Sequence, residues 1–223
     1  MGILGHGVYN LTEAARLTRL RPQRVRQWFD GQRKAQTRPP VFRGDYQSVD
    51  GDRAISFHDL IELYIGGRLR ERGVSLQSLR KVHKSLQKDL GTRHPFCHRE
   101  VMTKDGKVFT FGLNEQGRGE MIEVLTHQRV FPEILLPFSH RIDYDEATEM
   151  ARRWCIGNLV VIDPAICLGK PIVDGIGIAT AILASSYEAN DQDAEMVAAW
   201  YRVHPKHVIA AVEFERSFQQ IAA

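Results

Sequence analysis

The chain has 223 residues and a formal net charge of +3, with 43% hydrophobic and 26% charged residues, which is the composition of an ordinary globular protein with room for one large domain or two to three small ones. No segment approaches the roughly 20 apolar residues of a membrane helix, and no basic-then-apolar leader begins the sequence. Its three cysteines, Cys97, Cys155 and Cys167, lack metal-ligand or redox spacing, so we expect reduced thiols, a cytoplasmic location and no membrane partner.

Charge is distributed unevenly along the chain. Residues 1–44 contain nine Lys/Arg against two acidic residues, a net charge of +7, whereas residues 143–223 contain six against twelve, a net charge of −6. Opposite charges at the two ends predict different partners: a polyanion for the first segment, and a neutral or basic molecule for the last.

The first stretch with a clear pattern is "LTEAARLTRLRPQRVRQWFDG". Thr12 can cap a short helix that runs to Thr18. Pro22 suits the first position of a second helix, which Gly31 can end. A tight turn joins the two, so the pattern indicates a helix-turn-helix.

The second of these helices has two different faces. At about 100° per residue, Val25, Trp28 and Phe29 share one face. The opposite face carries Gln and Arg, the side chains that bind base edges in the major groove. A solvated basic helix at a protein interface is the alternative, but the turn geometry and the local charge both favour DNA. We predict that the DNA-binding residues are Gln23, Arg26 and Gln27 at bases, and Arg21, Arg24, Arg33, Lys34, Arg38 and Arg43 at phosphates or groove flanks.

Residues 32–54 are rich in Pro, Gly and basic residues, the composition of a wing. Ser56 and Asp59 then form a capping-box pattern that opens a helix ending near Gly73. Another helix is predicted from Ser75 to Gly91.

After Gly91 the periodicity changes. "EVMTKDGKVFTFG" predicts a hairpin with its turn at Asp105 and Gly106, and a helix is possible around 121–128. From Asp143 the pattern is again helical, with short strands at "NLVVID" and "KPIVDG" and three final helices near 178–186, 193–201 and 205–218.

Three clusters could suggest chemistry, and each has a plainer interpretation. In "HPFCH", adjacent Cys97 and His98 cannot easily reach one ion, so a loop or core role is favoured over a metal site. The acidic runs "DYDEATE" and "DQDAE" are more typical of helix starts than of catalytic carboxylates. No phosphate-binding glycine loop or nucleophile elbow is present. We therefore predict no enzyme, no catalytic residue, no metal and no cofactor.

Two stretches resemble known families. Residues 8–90, with "YNLTEAARLTRLRPQRVRQWF", a basic wing and "FHDLIELYIGGRLRERGVSLQSLRKV", resemble the winged helix-turn-helix of MerR-type regulators. That family continues into a long dimerising helix, whereas here Gly91 ends the helix. Residues 154–218, with "VVIDPAICLGKPIVDGIGIATAILASSYE" and "VAAWYRVHPKHVIAAVEFE", are similar to domain of unknown function family 433.

The second resemblance rests on a defined set of positions. They are Asp163, Pro164, Gly169, Pro171, Gly175, Trp200, Tyr201 and the last helix from Pro205. That family usually has a basic residue where Gly177 stands, so no role for such a side chain is transferred.

Together the two modules resemble a VapB-type antitoxin of a type II toxin-antitoxin system. The resemblance implies that the protein neutralises a cognate PIN-type ribonuclease toxin and binds operator DNA to repress its own operon. Paired half-sites would favour a homodimer. For toxin contact we select exposed-looking aromatic and charged residues, with core packing an equal alternative for the adjacent Trp200 and Tyr201. The set is Tyr187, Glu188, Trp200, Tyr201 and Arg216.

The predicted fold is mainly α with small β elements. It comprises a winged helix-turn-helix (1–91), a middle α+β segment with a hairpin (92–142) and an acidic helical C-terminal module (143–223). A ligand- or metal-responsive regulator without a toxin partner is the alternative function, although no sensing site or coiled coil is evident after residue 90. A hydrolase or nuclease would need clustered core carboxylates, which the periodicity does not support.

Overall fold

The computed structural model describes residues 5–31, 40–47, 53–102, 109–113, 119–123, 138 and 140–220. The chain forms two compact units. The N-terminal unit comprises Asn10–Ala151, and the C-terminal unit comprises Met1–Tyr9 together with Arg152–Ala223. None of the helices in the described ranges is long and apolar enough to cross a bilayer.

Short elements build the N-terminal unit, which is mostly helical at its start and mixed at its end. In chain order they are α1 (Leu11–Thr18), α2 (Pro22–Asp30), β2 (Ala54–Ile55), α3 (Phe57–Glu71), α4 (Leu76–Leu90), a 3₁₀ turn (Pro95–Cys97), α5 (Arg99–Met102), β3 (Phe109–Leu113), β4 (Gly119–Glu123) and β5 (Ile142–Tyr144). The preceding strand β1 (Tyr9–Asn10) contains the boundary between the units.

Capping side chains set most of these helix starts. The Asn10 side chain accepts a hydrogen bond from the Glu13 amide, so α1 begins at Leu11 and the cap predicted at Thr12 is wrong by two residues. The predicted capping box at Ser56 and Asp59 is confirmed, as is Pro22 in the first turn of α2. Ser75 caps α4 through the Ser78 amide. Each cap satisfies amides that the helix itself leaves without acceptors.

The core of the N-terminal unit is centred on α3 and a group of rings. Leu60, Ile61, Leu63, Ile65 and Leu69 of α3 are fully buried. The Phe42 ring packs edge-on against Trp28, His83 and Phe96, at centroid distances of 5.7, 5.2 and 6.4 Å. Gly66 permits this packing, because a Cβ there would lie 3.1 Å from the rings of Phe42 and Trp28.

The C-terminal unit is α+β. The short strands predicted at "NLVVID" and "KPIVDG" are confirmed, and a further strand over Ala151–Gly157 corrects the description of this part as a helical module. It contains β6 (Ala151–Gly157), β7 (Val160–Ile162), a 3₁₀ turn (Cys167–Gly169), β8 (Pro171–Val173), α6 (Thr180–Ala189), α7 (Ala194–Tyr201) and α8 (Pro205–Gln220). Strand β7 pairs antiparallel with both β6 and β8. Val173, Leu183, Val197, Val208 and Ala211 form a buried core between the sheet and the three helices.

A distant segment completes the C-terminal unit. The Tyr9 side chain is fully buried, and its hydroxyl donates a 2.8 Å hydrogen bond to the Gly169 carbonyl. The Val8 amide donates to the Leu168 carbonyl at 3.0 Å. Gly169 has φ +81°, and a Cβ there would clash with the Tyr9 hydroxyl at 2.1 Å, so only glycine fits.

The middle of the chain departs most from the sequence predictions. Strand β3 pairs with β4, with Phe109 opposite Glu123 and Leu113 opposite Gly119. The first strand of the predicted hairpin is wrong at residues 100–102, because they belong to the helical turn α5, and the predicted turn at Asp105 and Gly106 lies outside the described residues. Strand β4 also occupies the start of the helix expected around 121–128.

The acidic run after residue 142 is not a helix start. It forms β5 and a turn in which the Asp145 carboxylate accepts from the amides of Ala147 and Thr148, at 3.1 and 2.8 Å. Aspartate commonly stabilises turns in this way. The Arg99 side chain lies 3.3 Å from Glu149, which places the run in the N-terminal unit.

This arrangement moves the division of the chain from residue 143 to residue 152. Residues 152–223 contain six Lys/Arg and eight acidic residues. The formal net charge of the C-terminal unit is therefore about −2, whereas the longer range 143–223 has a net charge of −6. Its acidity is a weaker guide to its partner than the sequence suggested.

Candidate nucleic-acid and protein interfaces

Helices α1 and α2 are joined by a three-residue turn. Arg19 adopts the left-handed conformation with φ 57°, and the Leu20 amide donates to the Ala15 carbonyl at 2.8 Å. Leu20 is buried, and the Thr18 hydroxyl donates back to the Ala14 carbonyl at 2.7 Å. The buried leucine and these hydrogen bonds hold the short turn between the two helices in place.

The faces of α2 follow the predicted pattern. Val25, Trp28 and Phe29 are no more than 3% exposed. The predicted DNA-binding residues Arg21, Gln23, Arg24 and Arg26 are all exposed, and Gln27 is half-buried. The buried face of α2 therefore anchors the helix, and its exposed surface presents the guanidinium groups of Arg24 and Arg26 and the amides of Gln23 and Gln27, with Arg21 just before its first turn.

The remaining predicted DNA-binding residues come from the following segment. Arg43 is exposed beside the buried Phe42. Arg33, Lys34 and Arg38 lie outside the described residues, so the wing itself is a prediction.

The structure adds Arg70 to this basic surface. Burial lowers the pKa of the half-buried Arg70 guanidinium, and the charge of Arg24 lowers it further. The positive charge of Arg24 therefore acts on the Arg70 guanidinium, so Arg70 adds to the positive potential around Arg24. Arg70 donates to the Val74 carbonyl, which orients it. The sequence could have indicated Arg70 only through its position as a basic residue in the last turn of α3.

In the C-terminal unit, three of the five predicted toxin-contacting residues lie together. Arg216 of α8 forms a 2.7 Å ion pair with Glu188 of α6 and lies over the Tyr187 ring at 5.8 Å. The hydrogen bond to Glu188 raises the pKa of Arg216. The pair lies at a groove of about 690 Å³ lined by small side chains, including Ala181, Ala184 and Ser185.

The other two predicted residues are adjacent in sequence but differ in environment. Tyr201 is half-buried against the helical core, with its hydroxyl 2.9 Å from that of Ser186. Trp200 is 60% exposed. Trp200 is therefore a surface residue, whereas Tyr201 serves mainly in packing.

Exposed apolar side chains are concentrated in the C-terminal unit. Seven large ones are exposed among the residues whose burial is described, and all seven belong to this unit: Leu159, Ile166, Leu168, Ile182, Met196, Trp200 and Ile209. Met196 and Trp200 lie one turn apart on α7, opposite the buried Val197 and Ala198. Clusters of exposed apolar side chains typically mark protein-binding surfaces. Met196 was missed from the sequence because its four-residue spacing from Trp200 also fits a core face.

Comparisons with known proteins agree with this division of the chain. A family described as protein of unknown function (DUF433) matches residues 160–214, which is less than half of the chain and lies within the C-terminal unit. A curated protein of Mycobacterium tuberculosis (strain ATCC 25618 / H37Rv), named as a candidate antitoxin, VapB45, is 25% identical over 191 residues, covering 78% of this chain and 80% of that protein. These matches support a relationship to a toxin-antitoxin family.

A solved structure resembles the whole fold. The crystal structure of Rv2018 from Mycobacterium tuberculosis matches with a TM-score of 0.66 and 20% sequence identity, covering 92% of this chain and 96% of that chain. Identity at this level establishes a shared fold and carries no residue roles.

Proposed function

We propose that this protein is an antitoxin without catalytic activity, whose C-terminal unit binds and neutralises a cognate toxin and whose N-terminal unit binds operator DNA as a homodimer. A PIN-type ribonuclease is the proposed toxin class. The single observation that carries the proposal is that the exposed apolar side chains lie in the unit that contains the DUF433 match, in a chain that is similar over 78% of its length to a curated candidate antitoxin.

Toxin binding would use apolar contact more than charge. The C-terminal unit has a small negative charge, which suits a ribonuclease because an RNA-binding enzyme needs a positive surface. Large exposed groups such as Trp200 and Met196 contribute more binding energy per residue than rim charges do. We therefore place the centre of the toxin interface on α7, with the Glu188–Arg216 pair at a polar rim.

Operator binding is supported by the exposed face of α2. Guanidinium and amide groups at Gln23, Arg26 and Gln27 suit base edges in the major groove. Arg21, Arg24, Arg43 and Arg70 would contact the sugar-phosphate backbone, where half or more of protein–DNA hydrogen bonds are made. The functions of the two units would be separable, because each group of residues belongs to one unit.

Co-expression with the product of the neighbouring gene tests the toxin-binding half. We expect a stable complex on size-exclusion chromatography and relief of growth arrest. Trp200→Ala should weaken the complex by about 10-fold or more, as expected for an interface tryptophan. It should leave thermal stability unchanged, because the ring is largely exposed.

Glu195→Ala is the matched control, since Glu195 is exposed on the same helix. Its complex should keep an affinity close to that of the wild type. If no complex forms and the neighbouring gene is not toxic, the toxin-binding half of the proposal is wrong. Equal weakening by both variants would instead contradict the placement of the interface on the Met196–Trp200 face.

A further inference from the structure

Three titratable side chains converge inside the N-terminal unit from separate segments. Asp45 comes from the loop before β2, Asp59 from the first turn of α3 and His94 from the segment after α4. One potential ligand atom from each lies within 4.8 Å of the other two. Asp59 is 1% exposed and His94 is 7% exposed. Among the described residues, these three side chains form the group of potential metal ligands whose ligand atoms are close enough together to hold one ion.

Backbone and side-chain hydrogen bonds hold the two carboxylates in place. One Asp59 oxygen, Oδ2, accepts from the amides of Ser56 and Asp45 at 3.1 and 3.0 Å. Asp45 Oδ2 accepts from the Ser56 hydroxyl at 2.7 Å. Asp45 Oδ1 lies 3.0 Å from His94 Nε2. These contacts fix the ligand positions before any ion binds, as an effective metal site requires.

One buried oxygen in this group lacks a hydrogen bond. Among the described residues, Asp59 Oδ1 has no hydrogen-bond partner, and His94 Nδ1, which could pair with it, is 3.9 Å away. Burying a carboxylate oxygen without a partner is costly, so native proteins rarely leave one unsatisfied. A cation in this space would satisfy Asp59 Oδ1.

We propose that Asp45, Asp59 and His94 bind a divalent transition-metal ion, most favourably Zn²⁺. An imidazole nitrogen with two carboxylate oxygens is a donor set that zinc accepts, whereas Mg²⁺ and Ca²⁺ prefer oxygen donors alone. Three protein ligands leave a fourth position for water. Ligand atoms about 2.1 Å from a tetrahedral zinc are about 3.4 Å apart. Asp45 Oδ1 and His94 Nε2, now 3.0 Å apart, must therefore separate slightly, while Asp59 moves toward them by up to about 1 Å.

Two neighbours must accommodate the ion. Arg93 lies 3.4 Å from Asp45 Oδ1, but its side chain is 61% exposed and can turn into solvent. The His58 ring lies 5.5 Å from the His94 ring, and its Nε2 atom is already bound to the Ala151 carbonyl. His58 therefore stays outside the ligand set. By joining three chain segments, the ion would stabilise the N-terminal unit. This inference is independent of the proposed antitoxin function.

The test uses the full-length protein after metal removal with EDTA. In the C-terminal unit the exposed His204 and the half-buried His207 have ring centroids 6.4 Å apart. Because this pair could bind zinc weakly, His204→Gln and His207→Gln are introduced into every sample. Calorimetric titration should then show one Zn²⁺ per chain and no binding of Mg²⁺, and Zn²⁺ should raise the melting temperature. His94→Gln and Asp59→Asn should each lower Zn²⁺ affinity at least 10-fold and remove the rise.

His83→Gln is the matched control. His83 is 5% exposed and pairs with Glu62 at 2.7 Å, outside the proposed ligand set. This variant should lower the melting temperature without metal yet keep the Zn²⁺-induced rise. The proposed site would be wrong if His94→Gln and Asp59→Asn bound Zn²⁺ as tightly as the protein that carries only the His204→Gln and His207→Gln changes, or if that protein bound no Zn²⁺. His94 would then serve only as an ion-pair partner of Asp45.

A second measurement needs no substitution at the site itself. Paramagnetic Co²⁺, which occupies zinc sites, should broaden the amide resonances around Asp45, Asp59 and His94 first. Broadening elsewhere with these resonances unchanged would also overturn the proposal, even if the ligand variants fail to fold.

Discussion

On α2 the Arg26 side chain is exposed and the neighbouring Gln27 side chain is half-buried. Neither contributes to the core formed by Val25, Trp28 and Phe29 of the same helix. Their substitution should therefore affect recognition far more than folding. This separation makes them the most informative residues for testing the DNA-binding proposal.

We expect Arg26→Ala with Gln27→Ala to abolish measurable operator binding while toxin binding is retained. A bidentate base contact contributes about 1–3 kcal/mol, so loss of two should lower affinity at least 10-fold. Fluorescence anisotropy with promoter DNA at fixed salt measures this. Gln77→Ala with Lys81→Ala, both exposed on α4, is the control and should change affinity little. Unchanged operator affinity in the α2 variant would mean that the recognition helix is placed wrongly.

At the scale of an element, the N-terminus of α3 contains two linked capping interactions. The Ser56 hydroxyl accepts from the Asp59 amide at 3.1 Å and donates to Asp45 at 2.7 Å. The Ser56 residue is 2% exposed. Ser75 caps α4 through one amide at 3.0 Å and is half-buried. The two serines thus provide a matched pair of caps, of which Ser56 is the more buried and also donates to a half-buried carboxylate.

Ser75→Ala should lower the free energy of unfolding by about 1 kcal/mol, the usual cost of losing a helix cap. Ser56→Ala should cost about 2 kcal/mol, because the half-buried Asp45 carboxylate also loses a hydrogen-bond donor. Urea denaturation of the two single variants measures the difference. Equal losses would show that the Ser56–Asp45 hydrogen bond adds nothing to stability.

For the whole molecule, the boundary between the units decides how the chain can be divided. A cut after residue 142 removes the Ala151 carbonyl, which lies 3.0 Å from His58 Nε2, and Glu149, which pairs with Arg99. A cut after Ala151 keeps both contacts. Residues 143–151 are therefore part of the N-terminal unit in energetic terms as well as in position.

We expect a fragment of residues 10–151 to melt at a higher temperature than a fragment of residues 10–142, because the shorter one leaves His58 and Arg99 without these partners. Circular dichroism on heating both fragments measures the difference. Arg99→Ala in the longer fragment should reproduce part of the loss. Equal melting temperatures of the two fragments would contradict the assignment of 143–151 to this unit.

The local sequence determined most of the helices and their starts. Pro22, Gly31, Ser56 and Gly91 act through the conformation of their own backbone or through neighbours three residues away, so their effects are readable without a fold. The faces of α2 followed from the helical period for the same reason. The resemblance of the C-terminal segment also rested on local motifs, and it agrees with the family match at residues 160–214.

Only the tertiary structure decided the features that depend on partners far along the chain. Tyr9 belongs to the C-terminal unit through a hydrogen bond that spans 160 residues, and the exposure of Trp200 beside the half-buried Tyr201 depends on how α6 and α8 pack around α7. The β3–β4 pairing and the convergence of Asp45, Asp59 and His94 are likewise set by long-range packing, since hydrophobic period and spacing describe only one element at a time. The candidate DNA-binding face was therefore predictable from one helix, whereas the candidate metal site and the exposed apolar surface emerged only from the folded chain.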